Sequence, residues 1–320
     1  MRFYQFVLLV FLGIMSCKKD GLQNVDVSNV DVQFSVERFD VDFYTSNKEN
    51  LLEIKQKYPY FFPQQITDSI SLAKINSKDE QELFAETQKI YKNITPLKEQ
   101  LTSLFKHVKY HNPKFNSPKV ITMLTNIDYD SRVLYADSLL IVSLDVYLGK
   151  NHKFYADYPK YIKENNTKNH IVVDAANAII AKQIIPSNNR SFISKMIEEG
   201  KKMYLLDMYL PSISDKEKIG FEANKYDWVL NNEEQIWAYF IEKELLFSTD
   251  TNLNQRFLDV APFSKFYMEH DNLSPGRVGV YIGWQIVRSY MNYNNDVSLQ
   301  ELLNKNATDL FKESKYKPRK

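Results

Sequence analysis

Three stretches of the chain have strand-like patterns of apolar and polar residues, and in the first of them the two kinds alternate. The first stretch keeps one phase over residues 30–36 and the opposite phase over residues 39–43, with the charged pair Glu37-Arg38 between them. A change of phase turns every side chain to the other face, so this stretch predicts two short strands or one strand with a β-bulge. The other stretches, residues 119–127 and 132–148, are separated by a turn-rich sequence and predict further strands. Together they predict one small sheet.

Elsewhere apolar residues recur at intervals of three and four, which predicts amphipathic helices. Such helices are expected after Ser77 up to Pro96, across residues 172–184, across residues 193–210, after Asn232 and after Pro275-Gly276. Helix therefore dominates the predicted structure.

Local signals predict how two of these helices begin. Ser77 and Glu80 have the spacing of a capping box. Asn232 is expected to cap the helix whose inward-facing residues are Ile236, Trp237, Phe240 and Ile241.

Composition narrows the fold and the range of partners. Only 8 glycines occur in 320 residues, too few for a barrel or sandwich built on many glycine turns. The net charge is +1, so no overall field attracts the protein to nucleic acid, and none is expected as a partner. Without repeats or an internal linker, residues 30–320 are predicted to form a single, predominantly helical α+β domain with a small β-sheet.

Near the start of the chain, the charged Arg2 is followed by a short apolar segment, Phe3 to Ile14, shortly before the only cysteine, Cys17. The apolar segment is shorter than the roughly 20 residues that span a bilayer, so it predicts a signal peptide. The order Ile14-Met15-Ser16-Cys17 resembles the lipobox of bacterial lipoproteins. This resemblance implies removal of residues 1–16 by cleavage after Ser16, lipidation of Cys17, and a tether over residues 17–29. The lipid on Cys17 would hold the domain on a membrane.

The strongest candidate for a metal site is a pair of histidines, His107 and His111. Four residues apart, they would lie on one face of a helix and could share a zinc ion. However, Val108 stands where a zinc peptidase has its general-base glutamate, and Asn112-Pro113 ends the helix next to His111. The sequence therefore favours a solvated pair, with a zinc peptidase as the alternative. The other histidines lack ligand spacing, and no cofactor is predicted: His152, His170 and His270.

Three blocks in the C-terminal part of the chain resemble the gliding-motility lipoprotein GldB family of Bacteroidota. They are residues 231–237 (NNEEQIW), 261–267 (APFSKFY) and 271–290 (DNLSPGRVGVYIGWQIVRSY), and the ERFD sequence at residues 37–40 agrees with them. The resemblance extends over essentially the whole mature chain. It implies a lipoprotein of the bacterial cell envelope that is needed for gliding, is associated with a secretion machine and acts through protein partners.

That family also resembles zincin-like metallopeptidases, which implies a degenerate peptidase fold and no enzymatic activity. The counterpart of the His-Glu-x-x-His helix is Asp174-Ala175-Ala176-Asn177-Ala178, which contains no histidine. The resemblance places Glu233 or Glu234 where a third metal ligand once stood.

The block around Ser-Pro-Gly-Arg also has a physical interpretation of its own. Pro275 favours a helix start, and Gly276 allows close approach of the backbone. Gly279 and Gly283 cost about 1 kcal/mol each in a helix, which indicates a closely packed neighbour, either inside the domain or on a partner. The remaining residues of this candidate motif are Arg277, Trp284 and Arg288, the two arginines being expected to pair with carboxylates such as Asp271.

Three functions remain open from the sequence. The first is a non-enzymatic, lipid-anchored protein of gliding and secretion. The second is a zinc peptidase that uses His107 and His111. The third is a glycan-binding or solute-binding lipoprotein, which 21 tyrosines and 20 phenylalanines would suit. The sequence does not distinguish inner from outer membrane and identifies no small-molecule ligand.

Overall fold

The structure is a computed structural model, and it describes residues 25–136, 138–184 and 188–320. Its one sheet has four strands in the order β1-β2-β4-β3. Their bounds are β1 Val36–Arg38, β2 Lys119–Met123, β3 Val133–Ala136 and β4 Leu139–Ser143. β1 and β4 both run parallel to β2, and β3 forms an antiparallel hairpin with β4. Because β2 has a partner on each side, three consecutive residues of it are fully buried: Val120, Ile121 and Thr122.

The described residues form fifteen α-helices, which confirms the predicted helical α+β class. The first eight are α1 Phe39–Tyr44, α2 Leu51–Lys57, α3 Asp68–Ile75, α4 Lys78–Tyr91, α5 Thr95–His111, α6 Lys160–Lys163, α7 Ile171–Ala181 and α8 Phe192–Tyr209. The others are α9 Asp215–Ile219, α10 Ala223–Asn231, α11 Glu233–Glu242, α12 Asn252–Phe257, α13 Val278–Tyr293, α14 Leu299–Asn304 and α15 Ala307–Ser314.

The prediction of a strand over residues 39–43 is wrong, because this segment forms α1. Residues i and i+4 share a face both in a strand and in a helix, so the positions of Phe39 and Phe43 fit either structure. In α1 their rings lie 5.3 Å apart between centroids, and both are buried together with Tyr44. Val41 lies on the half-buried side.

The predicted helices after residues 77, 171, 192, 232 and 277 are present, but their local signals act differently. Ser77 makes no capping hydrogen bond, because Glu80 instead binds Tyr44, Asn126 and Lys74. The Asn232 side chain donates to the carbonyl of Trp228 and does not cap α11. Ile241, expected to face inward, is 51% exposed. A capping box does occur at the start of α14.

α8 and α13 cross so closely that glycine is required on both helices. A Cβ atom added to Gly283 would lie 1.8 Å from the carbonyl oxygen of Met196, and one added to Gly200 would lie 2.2 Å from the carbonyl oxygen of Gly283. A Cβ atom added to Gly279 would lie 2.9 Å from the Leu258 side chain and 3.0 Å from the carbonyl oxygen of Phe257. The glycines at positions 279 and 283 therefore serve packing inside the domain.

Candidate functional site

A cavity of about 180 Å³ lies where the loop before α13 meets α7, the end of α9 and the start of α10. Residues from two parts of the sequence analysis line it together. One part is the segment Pro275-Gly276-Arg277, and the other is the pair Asp174 and Asn177 on α7. Tyr129, Ala261 and Pro262 also belong to its wall.

Two blocks of the C-terminal sequence form one structural unit at this cavity. The backbone nitrogen of Ser264 donates to the carbonyl of Pro275 (2.9 Å) and to the hydroxyl of Ser274 (3.1 Å). A Cβ atom at Gly276 would lie 2.3 Å from the carbonyl oxygen of Ala261, so no larger residue fits between the two segments. Gly276 thereby holds the loop against the cavity wall.

Arg277 stands at the end of this loop in a left-handed conformation with φ of 60°. Its Nη1 donates to the carbonyl of Ile219 at 3.2 Å. Within the described ranges no carboxylate lies within 4 Å of it, and burial lowers the pKa of the guanidinium. The expected ion pair with Asp271 is wrong, because that carboxylate accepts hydrogen bonds from the backbone nitrogens of Tyr267 and Met268.

Asp174, at the floor of the cavity, is held by basic and hydroxyl groups. Arg132 donates to it from Nε at 2.8 Å and Tyr147 from its hydroxyl at 2.6 Å. His170 lies 3.5 Å away and contacts Glu217 at 3.2 Å. Burial acts to raise the pKa of Asp174, but His170 and Arg132 outweigh it, so the carboxyl pKa is lowered. Asp174 is therefore an ionised group that already has its counter-charge.

Residues 174–178, the inferred counterpart of the peptidase metal-binding helix, lie in α7. Neither candidate for the third ligand, Glu233 or Glu234, lines the cavity beside them. Glu233 lines another cavity together with Arg288, and Glu234 is exposed. Both oxygens of Glu233 are engaged, by the hydroxyls of Tyr281 and Tyr316 at 2.8 Å each.

Arg288 and Trp284 bind the buried carboxylate of Asp207 and do not line the cavity beside Arg277, although Arg288 reaches the cavity that contains Glu233. Arg288 makes two hydrogen bonds to Asp207 and two to Asp215, at 2.6 to 2.9 Å. The indole nitrogen of Trp284 donates to Asp207 at 2.8 Å, and Lys218 binds the same carboxylate at 2.9 Å. Burial would lower the pKa of Arg288, but the hydrogen bonds to Asp215 and Asp207 raise it instead.

His107 and His111 lie on α5, as predicted, but they are not a solvated pair. His107 is 6% exposed, and its Nδ1 contacts the carbonyl oxygen of Ser103 at 2.8 Å. The Nε2 of His111 is buried without a hydrogen-bond partner, and burial together with His107 lowers the His111 pKa to about 4. In the part of the chain that the structure describes, no three His, Cys, Asp or Glu side chains are arranged to hold a metal ion.

Cys17 and Ser16 lie outside the described residues, so lipidation and cleavage there stay predictions. Along the described ranges, no helix has both the length and the apolar character needed to cross a membrane.

Sequence reasoning missed several residues of the cavity and its floor: Arg132, His170, Glu217 and Lys225. His170 was regarded as isolated, although its spacing of four residues from Asp174 on a helical segment is a signal for an ion pair. Lys225 lines the cavity, and Arg132 and Glu217 contact its lining residues Asp174 and His170, in each case through long-range packing for which the sequence carries no local signal.

In the comparison with protein families, the family described as "Gliding motility protein GldB" matches residues 20–318. No curated protein and no solved structure matches the chain.

Proposed function

The chain belongs to the gliding motility protein GldB family, and we propose that it is a lipid-anchored protein of the bacterial cell envelope that acts in gliding through protein partners. The observation that carries the proposal is the family match over residues 20–318, nearly the whole chain. The lipobox-like sequence before Cys17 supports a lipid anchor, because acylation needs a free thiol and this is the only cysteine.

A non-enzymatic role is supported by what surrounds Asp174. A catalytic carboxylate must be free to take up a proton, bind a metal or contact a substrate. Asp174 instead accepts hydrogen bonds from Arg132 and Tyr147, and Arg132 is itself held by the side chain of Asn166 at 2.7 Å and the carbonyl of Asn165 at 2.8 Å. These contacts give the carboxylate a structural role.

Complementation of a strain that lacks the gene tests the anchoring part of the proposal. We expect Cys17→Ala to abolish gliding of single cells and to release the protein from the membrane fraction. Ser16→Ala is the matched control, because it keeps a small residue at the cleavage position, and cells carrying it should glide normally. Full gliding by the Cys17→Ala strain, with the protein in the soluble fraction, would contradict the proposal.

Elemental analysis tests the non-enzymatic part. We expect far less than one zinc ion per chain in the full-length protein purified in detergent without a histidine tag or chelator. About one zinc per chain that is lost in His107→Ala and His111→Ala would establish the zinc-site alternative and overturn the non-enzymatic role.

A further inference from the structure

We propose that the cavity beside Pro275-Gly276-Arg277 is a binding site for a carboxylate group, which Arg277 and Lys225 hold. The proposal goes beyond the role in gliding and does not depend on it. It follows from the charges on the wall, the size of the cavity and the hydrogen-bond donors of Arg277, which lines it.

The acidic residues of the wall are all neutralised by bases. Glu164 pairs with Lys150 at 2.9 Å, Asp174 with Arg132 at 2.8 Å, and Glu222 with Lys160. The wall lysine at position 218 is bound to Asp207, as described above. The charge that remains on the wall is therefore set by the other two basic side chains.

Arg277 and Lys225 are these two remaining cations. Across the described residues, neither has a carboxylate within 4 Å. The Nζ of Lys225 donates to the backbone carbonyls of Asn272 and Ser274, and Ser274 lies three residues before Arg277. Both cations line the cavity, Lys225 binds the segment that leads into Arg277, and burial lowers the pKa of each.

The acids that act on the two cations, Glu199 on Arg277 and Glu222 on Lys225, are not in direct contact with them, and each is paired with another lysine. An anionic ligand in direct contact with the cations would lower the cost of burying their charge. A guanidinium carries five N–H donors in a planar fork, and among the described residues the Arg277 side chain makes one hydrogen bond, to the carbonyl of Ile219. The fork matches the two oxygens of a carboxylate. The carboxylates of Asp174, Glu164 and Glu222 on the same wall would repel a dianionic phosphate more strongly than a monoanion, because their bases reduce this repulsion without cancelling it, so a monoanion is the better partner.

The volume and the apolar part of the wall limit the body of the ligand. An engineered cavity of about 150 Å³ holds benzene, so about 180 Å³ admits a group the size of a small amino acid. Tyr129, Tyr161 and Val260 offer apolar surface beside the cations. The ligand class is therefore a small organic acid or the C-terminal residue of a peptide, which share the carboxylate.

Isothermal titration calorimetry on the full-length protein in non-ionic detergent tests the site. The probes are N-acetylalanine, N-acetylalanine amide, an acetylated tetrapeptide that ends in a free alanine, and inorganic phosphate. We expect N-acetylalanine to bind and its amide to bind at least tenfold more weakly. Tighter binding of the tetrapeptide than of N-acetylalanine would assign the site to peptide termini, and the reverse would assign it to small acids.

Variants locate the binding in the cavity. Arg277→Gln and, independently, Lys225→Gln should each weaken the binding of N-acetylalanine at least tenfold. Arg256→Gln is the matched control, because Arg256 is also half-buried, bonds a backbone carbonyl and does not line the cavity. Thermal melting of each variant verifies that it is folded, and the second cavity variant keeps the test valid if one of them is not.

Three results would overturn the proposal. The first is that neither carboxylate probe binds at about 10 mM. The second is unchanged binding of N-acetylalanine in both folded cavity variants. The third is tighter binding of phosphate or of N-acetylalanine amide than of N-acetylalanine.

Discussion

One arginine directly precedes α13 and another lies inside that helix, and their surroundings are opposite. Arg288 makes four hydrogen bonds to two carboxylates and stacks on Trp284, with 3.9 Å from the guanidinium carbon to the ring centroid. Arg277 has a single backbone carbonyl and faces a cavity. Both arginines belong to one sequence block, and both were predicted to be paired with acids. The comparison shows that an arginine in a distinctive motif can complete a core or be left available for another molecule, and only its partners distinguish the two.

The largest expected effect on stability is at Arg288. Arg288→Met should lower the free energy of unfolding by about 3–5 kcal/mol, because it leaves the buried carboxylate of Asp207 without its main counter-charge. Urea denaturation followed by circular dichroism measures this. Lys202→Met is the control, since it removes a partly exposed pair with Glu199 and should cost at most about 1 kcal/mol. Equal costs for the two variants would mean that the Asp207 cluster is not structural.

The packing between α8 and α13 gives the next effect. Gly283→Ala should cost about 2–3 kcal/mol, because its Cβ meets backbone at Met196 and the helices must separate. Gly279→Ala should cost less, since the atom nearest to its Cβ is the movable end of the Leu258 side chain. The same urea measurement ranks the two, and the opposite ranking would show that the contact between α8 and α13 adapts easily.

His111 sharpens the comparison between the two arginines. Its Nε2 atom is buried without a hydrogen-bond partner, but the ring carries no charge at neutral pH. Its pKa of about 4 in the folded protein lies below the ordinary value of 6.5, so the unfolded chain binds more protons between these values. Its contribution to stability is complete above pH 6.5 and declines as the pH falls to about 4, by on the order of 2 kcal/mol.

The difference in unfolding free energy between wild type and His111→Phe, measured from pH 7 to pH 4, isolates this contribution. Burial raises the pKa of Asp145 to about 6, which gives a slope of opposite sign that is common to both proteins. A constant difference across this range would show that His111 does not titrate as described.

The smallest expected effect on stability is at Arg277. Arg277→Met should change the free energy of unfolding by about 1 kcal/mol or less, and in the stabilising direction, because it removes a buried cation that has no acidic partner. Urea denaturation in a buffer without carboxylates measures this, with Arg288→Met beside it. A loss of more than about 2 kcal/mol would mean that Arg277 supports the fold as Arg288 does.

The sequence predicted the elements whose apolar pattern has a single interpretation. The stripes on α7, α8 and α13 follow the helical period over three turns or more, and β2 lies within residues 119–127, whose pattern favours a strand. The segment at Phe39 was missed because six residues are too few to separate the two periods.

The sequence also led to part of the candidate site. Gly276 and Arg277 stood out because a Pro-Gly step before a helix has a physical meaning. Their partners on the cavity wall come from positions such as Asn177 and Lys225 that no local pattern connects to them. Whether an arginine is paired depends in the same way on distant residues, since Arg288 meets Asp207 across 81 positions.

Glu233 has a consequence for the order in which the molecule folds. Its buried carboxylate is completed by the hydroxyl of Tyr316 and the backbone nitrogen of Arg319, 83 and 86 positions later. Contacts closed over such long loops form late. Pulse-labelling hydrogen exchange during refolding should therefore show α11 gaining protection after the hairpin of β3 and β4, whose paired residues are at most nine positions apart. Early protection of α11 would contradict this. While the chain emerges from N-terminus to C-terminus, α11 stays accessible to chaperones and proteases until residues 316–319 have followed it.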